Sequence, residues 1–457
     1  MERHTVGRSG YNRGGNQGSG GMQESIGSWL ASVRGQKNGR ELLTAMLERC
    51  LSQANGSSSR NTYLWLDADW SRSELERLLR PAGNSWTTLP LGGLPVSLKD
   101  CFDLAGTVTT QGSKFYARQT PVATQDSWVA ARLRAMGAVL TGKTHLHALA
   151  YGITGENRDY GDCLQPRDAR LLTGGSSSGA VASVQEGSAL AAIGTDTGGS
   201  VRVPAALCGL VGYRSSLGWG CWQGGGHLAE SFDTIGWLFR HLEDAPLLAQ
   251  LFVGATGDEV VDWNRPRPLD RFAIVDSGFL HDCQPEVRTS LDQTIGELQA
   301  LGMRGERVDV SWWEEAHTLF APIQAVEAAH IHAGHFQEFE EPIRQRLEWG
   351  ASLTQSAVDS LRQRHAAFRT RMTALLAEHQ LVILPSAPVS RLLAGEDHTG
   401  IRPRLLRYTA PASLGGLPAL AVPCAEGGMQ ILAAHGDDPR LLQLATRLGQ
   451  ARRALAE

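Results

Sequence analysis

Apolar positions recur with a helical period in two early segments, residues 23–36 and 40–54, and each predicts an amphipathic helix packed on the outside of a core. Ser127–Met136 carries the same period, with Val129, Leu133 and Met136 on one face. The apolar run Ala138-Val-Leu follows directly and predicts a short buried strand. Further on, Arg271-Phe-Ala-Ile-Val-Asp predicts a strand, the segment from Pro285 to about Leu301 a helix, and Arg307-Val-Asp-Val another strand. Two long helices are predicted near 314–348 and 354–379, followed by the strand Leu381-Val-Ile-Leu-Pro. Ala419-Leu-Ala-Val and Met429-Gln-Ile-Leu predict two more strands, and 438–455 a closing helix. Strands that alternate with helices argue for an α/β layered fold. No repeat is visible and no linker is long enough to force a cut, so one large domain over 23–457 is expected.

Two stretches break this rhythm. Met1 to Gly21 is rich in Gly, Ser, Arg and Asn and nearly devoid of aliphatic residues. It lacks the apolar segment of a secretory signal, so residues 1–22 read as a disordered leader, with Met22 as an alternative start. From Leu172 to Gly212 the chain is dominated by Gly, Ser, Ala and Val with few charges. Small side chains let backbone elements approach closely around a site.

Composition narrows the function classes. The 457 residues hold 43 Lys+Arg against 47 Asp+Glu, a net charge of −4, which provides no footprint for nucleic acid or an anionic membrane. No run of about 18 apolar residues offers a transmembrane helix. Seven cysteines (50, 101, 163, 208, 221, 283, 424) are scattered, odd in number and without a Cys-x-x-Cys pair. That pattern argues against a disulfide framework and a zinc site and fits a reducing cytoplasm. Glycine, at 52 residues, is the one excess.

Two tempting motifs are set aside. Gly137-Ala-Val-Leu-Thr-Gly142-Lys143-Thr144 matches a phosphate-binding loop letter for letter. Such a loop needs a preceding strand and inward amides, whereas here a helix precedes an apolar Ala-Val-Leu interior. His330, His332 and His335 suggest a metal, but on a helix 332 and 335 share a face while 330 points away. His145 and His147 give the same weak signal. No metal is expected.

Three features carry chemistry. Gly92-Gly-Leu-Pro-Val-Ser-Leu-Lys99-Asp100 is an apolar strand ending in a lysine. Delivered into an apolar interior, that amine loses solvation and becomes a usable base; at a solvated strand end it would be ordinary. Thr173-Gly-Gly-Ser176-Ser177-Ser178-Gly179 is polar and permissive, a loop or a helix N-terminus. Gly194-Thr-Asp-Thr-Gly-Gly-Ser200-Val-Arg202-Val-Pro204 places a serine after two glycines, on a turn able to aim several amides at one point. No Gly-x-Ser-x-Gly elbow with the usual Asp and His order is evident, so a proton acceptor must come from elsewhere, and a desolvated lysine acting through a second hydroxyl is one solution.

These three blocks, in this order, resemble the amidase signature family of serine hydrolases. The resemblance extends over Asp126–Lys143, Ser231-Phe-Asp-Thr-Ile-Gly236 with Arg240, Leu384-Pro-Ser-Ala-Pro388 and Gly416–Pro423, spanning roughly residues 40–455. It implies a mixed β-sheet core covered by helices on both faces. It also implies a Ser–cis-Ser–Lys triad in which Ser200 is the nucleophile, Ser176 the relay and Lys99 the base. Amides of Thr197, Gly198, Gly199 and Ser200 would form the oxyanion hole, with Ser177, Asp196 and Arg202 supporting the loops. The expected activity is hydrolysis of a small-molecule carboxamide through an acyl-enzyme, without a cofactor; a homodimer is compatible with this. The Trp- and Gly-rich segment Trp219-Gly-Cys-Trp222-Gln-Gly-Gly-Gly-His227 is read as an acyl-pocket wall or as surface packing. Two alternatives share the fold: a glutaminase-type subunit of a tRNA-dependent amidotransferase, and a catalytically inactive binding homologue. Against the former, Val-Arg202-Val-Pro stands where those subunits usually show Ile-Arg-Gln-Pro. The family's Gly-Leu-Pro-x-Gly-x-Gln is replaced here by Glu426-Gly-Gly-Met-Gln430-Ile-Leu.

Overall fold

Eleven strands form one mixed sheet in a computed structural model that describes residues 24–56, 60–80, 84–255, 268–276 and 278–456. In chain order they are β1 (Tyr63–Trp65), β2 (Pro95–Lys99), β3 (Val139–Thr144), β4 (Ala191–Asp196), β5 (Val211–Arg214), β6 (Thr234–Phe239), β7 (Arg271–Val275), β8 (Arg304–Val308), β9 (Leu381–Pro385), β10 (Ala419–Pro423) and β11 (Gly428–Ala433). Across the sheet the order is β1-β3-β2-β4-β6-β5-β10-β11-β9-β7-β8. The pairs β2–β3, β2–β4, β7–β8 and β7–β9 are parallel, and the others antiparallel.

Every residue of β2 through β6 is buried. Strands buried at both odd and even positions have both faces covered, which is why they read as continuous small or apolar runs rather than as an alternation. Exposure is greatest at the edges, where β1 is half-buried and β8 carries Arg304, Glu306 and Arg307. The α/β expectation of one domain with a mixed, doubly covered sheet is what the chain adopts. The expected leader, residues 1–22, lies outside the described residues. Among the described residues no helix is long and apolar enough to cross a membrane.

Most periodic segments fold as their pattern predicts. Ser127 caps the helix Trp128–Ala135 by accepting from the Ala130 N–H (3.3 Å), and β3 follows at once. Two boundaries differ. The strand expected at Arg307–Val310 lies three residues earlier, because pairing of Arg271 with Arg304 through Val275 with Val308 sets the register. The single helix expected over 314–348 is two, Ala316–Ile331 and Glu341–Ser352. Between them Gly334 adopts φ +84°, and Pro342 in the first turn starts the second helix where an amide donor is not needed.

Candidate active site

β2 and β4 are parallel neighbours, with Val96 opposite Ala191 and Leu98 opposite Ile193, so their carboxyl ends open on the same edge of the sheet. Ligand sites of open α/β sheets gather at such edges. Lys99 is the last residue of β2 and is fully buried. Its Nζ donates to Thr195 Oγ1 (2.7 Å), Ser176 Oγ (2.8 Å) and Ser177 Oγ (3.1 Å). Burial pushes this amine down from 10.5 to about 8, against the weaker opposing pull of Asp233 and Asp196. An ammonium held by three neutral hydroxyls has its donors satisfied without a bonded carboxylate to keep it charged.

Ser176 and Ser177 precede the helix Ser178–Glu186, and the Gly175–Ser176 peptide is cis. The loops bearing the two candidate serines are tied together. Ser177 N–H donates to the Ser200 carbonyl (3.2 Å), and Ser177 Oγ donates to the Thr195 carbonyl (3.2 Å). Their approach is close enough that a Cβ at Gly194 would stand 2.7 Å from Ser177 Oγ.

Asp196 organises the loop that follows β4. Its carboxylate accepts from the amides of Gly199 (2.8 Å), Val201 (3.2 Å) and Arg202 (3.3 Å). It also pairs with the guanidinium groups of Arg202 (2.9 Å) and Arg214 (3.0 Å). Burial alone would raise this acid, but the two arginines hold it well below the carboxylate range. Arg202 reaches on to Gln430 Oε1 (2.7 Å), which ties the altered C-terminal motif to this loop. Gly199 has φ +120°, and a Cβ there would stand 2.7 Å from Thr409 Oγ1; glycine is required on both counts.

The amides expected to face one point therefore divide. The Gly199 N–H donates to Asp196, the carboxylate that shapes the turn. Those of Thr197, Gly198 and Ser200 make no hydrogen bond among the described residues. Ser200 itself lines a small cavity with Tyr151, Gly152, Ile153, Gln324, Arg402 and Leu406. Gly152, Ile153 and Arg402 also border an outer cavity of about 430 Å³.

Trp219, Trp222 and His227 are not in that lining. Their segment packs on the loop that follows β2: Asp103 N–H donates to the Gly224 carbonyl (2.7 Å) and Gly226 N–H to that of Cys101 (2.7 Å). Trp219 is buried against Phe252, and Trp222 lies between His227 and Phe102. His227 still reaches the site indirectly. Its Nδ1 lies 3.0 Å from Asp233, whose other oxygen accepts from Thr197 Oγ1 (2.6 Å). Burial works against its protonation, but Asp233 outweighs it and raises the imidazole above its usual value.

The rejected motifs have structural places. Lys143, from the phosphate-loop lookalike, is fully buried on β3 and pairs with Asp100 (2.5 Å). His145 bonds Ser178 Oγ (2.9 Å) and the Gly161 carbonyl (2.9 Å), and His332 bonds the Tyr116 hydroxyl (2.7 Å). Among the described residues no group of three or more His, Cys, Asp or Glu is placed to hold a metal ion, and all seven cysteines are free.

Sequence reasoning missed Thr195, Arg214, Thr409 and the cavity residues Tyr151, Gln324 and Arg402. Thr195 was within reach, since it lies in the same motif as Ser200. The others come from segments remote in the chain, with no local signal.

The chain belongs to the amidase family, whose model matches residues 41–442. It is similar to a solved structure described as an amidase, with 30% identity and a TM-score of 0.84, covering 94% of this chain and 100% of that one. Among curated proteins it is similar to a glutamyl-tRNA(Gln) amidotransferase subunit from Syntrophobacter fumaroxidans, 30% identical over 92% of this chain and 95% of the relative. The corresponding protein of Synechococcus sp. (strain CC9605) is 29% identical over 94% of this chain and 97% of the relative. The structure of 6-aminohexanoate cyclic dimer hydrolase shares the fold at 21% identity and a TM-score of 0.81, covering 94% of this chain and 97% of that one.

Proposed function

We propose that the protein is an amidohydrolase that cleaves a carboxamide C–N bond through an acyl-enzyme on Ser200, using Ser176 and Lys99 to move the proton. The observation that carries this reading is the fully buried Lys99 amine, lowered to about 8 and 2.8 Å from Ser176 Oγ. Ser200 Oγ attacks the carbonyl carbon, and its proton passes to Ser176 as Ser176 yields its own to neutral Lys99 Nζ. The carbonyl oxygen, now an oxyanion, is received by the amides of Thr197, Gly198 and Ser200. Gly199 contributes by holding the turn on Asp196. Protonated Lys99 returns the proton through Ser176 to the leaving nitrogen, ammonia or an amine departs, and water releases the carboxylate by the same relay. Every covalent step is supplied by these side chains and water. Free, scattered cysteines fit a cytoplasmic setting for this chemistry.

The test is a panel of amides read by ammonia or amine release, with fluorophosphonate labelling of Ser200. Ser200→Ala should abolish turnover and labelling while the fold persists, and appreciable residual hydrolysis would sink the assignment. A second reading is favoured by the curated relatives: a glutaminase-type subunit of a tRNA-dependent amidotransferase. It uses the same serine and predicts ammonia release from glutamine only with partner proteins and tRNA present. Release from simple amides by the purified chain alone decides for the first.

A further inference from the structure

We infer that Arg402 is a specificity-determining residue that selects amides carrying a carboxylate, held at the throat between Ser200 and the outer cavity. This rests on the reading of Ser200 as the nucleophile. Arg402 lines both the cavity at Ser200 and the outer one. Of its five N–H donors, Nη2 is given to Gln324 Oε1 (2.9 Å). Its guanidinium carbon is 5.7 Å from the ring centre of Tyr151, and that of Arg346 is 4.6 Å from the same ring. Arg346 in turn donates to the Tyr151 carbonyl (2.6 Å).

Two cations thus converge on one aromatic ring. The titratable groups acting on Arg402 are the Arg346 guanidinium and the neutral Tyr151 phenol, with no carboxylate among them. Arg202 and Arg214 are paired on Asp196 and Arg134 on Asp126, whereas Arg240 donates to the backbone carbonyls of Val184 and Gln185. An enclosed cation without an anion is unfavourable, and it is retained where a ligand completes the pair. Burial and the neighbouring Arg346 lower the Arg402 guanidinium to about 9, a burden that a bound anion would relieve.

Five acidic side chains line the outer cavity, Glu156, Glu340, Glu341, Glu396 and Asp397, and four of them have polar partners within the chain, Glu156 accepting from the Thr154 hydroxyl (2.6 Å). Glu340 lies 3.6 Å from His147, Glu341 accepts from Gln345 (2.9 Å), and Asp397 accepts from the Thr399 N–H (2.9 Å). Their charge disfavours an anion at the outer wall and so turns a substrate carboxylate inward, toward the guanidinium. The planar fork of an arginine suits a carboxylate in two-point contact.

The experiment compares half-amides with their neutral diamides, succinamate against succinamide and glutaramate against glutaramide. For the better pair the wild type should favour the half-amide in kcat/KM by about 10- to 100-fold, the range of a hydrogen-bonded charge contact. Arg402→Gln should bring that ratio near one, mainly through KM. Arg402→Lys should retain part of it, since the charge stays and the fork is lost. A wild type without this preference, or a folded Arg402→Gln enzyme that keeps it, overturns the inference. If fluorophosphonate labels Ser200 in such an enzyme, the nucleophile reading survives alone. Failure of both labelling and hydrolysis refutes the nucleophile first, and the Arg402 inference with it.

Discussion

Replacing Lys99 with methionine tests the buried amine directly, because the change keeps a long apolar stem and removes only the titrating group. The lysine sits at about 8 instead of 10.5. At pH 7 roughly a tenth of it is then neutral, against about three parts in ten thousand for a solvated lysine, a gain of about 300-fold in available base. The rate of Ser200 acylation should therefore rise about tenfold per pH unit below 8 and level off above it. In Lys99→Met that limb should vanish and the plateau fall by at least about 100-fold. The same shift appears in stability. Between pH 8 and 10.5 the folded chain binds fewer protons at this site than the unfolded one, so stability rises with pH across that window, by about 3 kcal/mol in total. Stopped-flow labelling with a fluorophosphonate reads the first effect, and urea unfolding at pH 7 and pH 10.5 reads the second. A limb near pH 8 that persists in Lys99→Met would refute lysine as the base. Equal pH dependence of stability in both proteins would refute its burial as the cause.

Other perturbations separate the parts of the site. Thr195→Val removes an acceptor of the Lys99 ammonium (2.7 Å), so the activity limb should move down by about half to one pH unit; an upward move would contradict the bonding pattern. Asp196→Asn leaves Arg202 and Arg214 buried without their carboxylate and should cost about 3–5 kcal/mol in chemical denaturation. Trp222→Ala should leave the order of preference across an acyl panel unchanged, since this ring packs on Phe102 and His227 and not on the Ser200 cavity. A reordered panel would favour the pocket-wall reading.

How far the sequence could be read depended on whether a feature was local. The helix Trp128–Ala135 and the strand after it announce themselves through a cap, a period and an apolar run within about 17 residues. Break points such as Gly334 and Pro342 sit in the text as well, but the strength of the helical pattern on either side outweighed them. The register of β8 was not legible, because it is set by Arg271–Val275, some thirty residues away.

By itself the sequence determined the α/β order, the glycine-rich serine loops and the candidates Lys99, Ser176 and Ser200, since each is written in contiguous residues. Only the tertiary structure decided what surrounds them. Parallel pairing of β2 with β4 brings Lys99 to Thr195, and Asp196 takes the Gly199 amide. Chain folding seats Tyr151, Gln324 and Arg402 around Ser200 while packing Trp222 and His227 against the loop after β2. Protonation and selectivity depend on desolvation and on charges gathered from distant segments, and those exist only once the chain has packed.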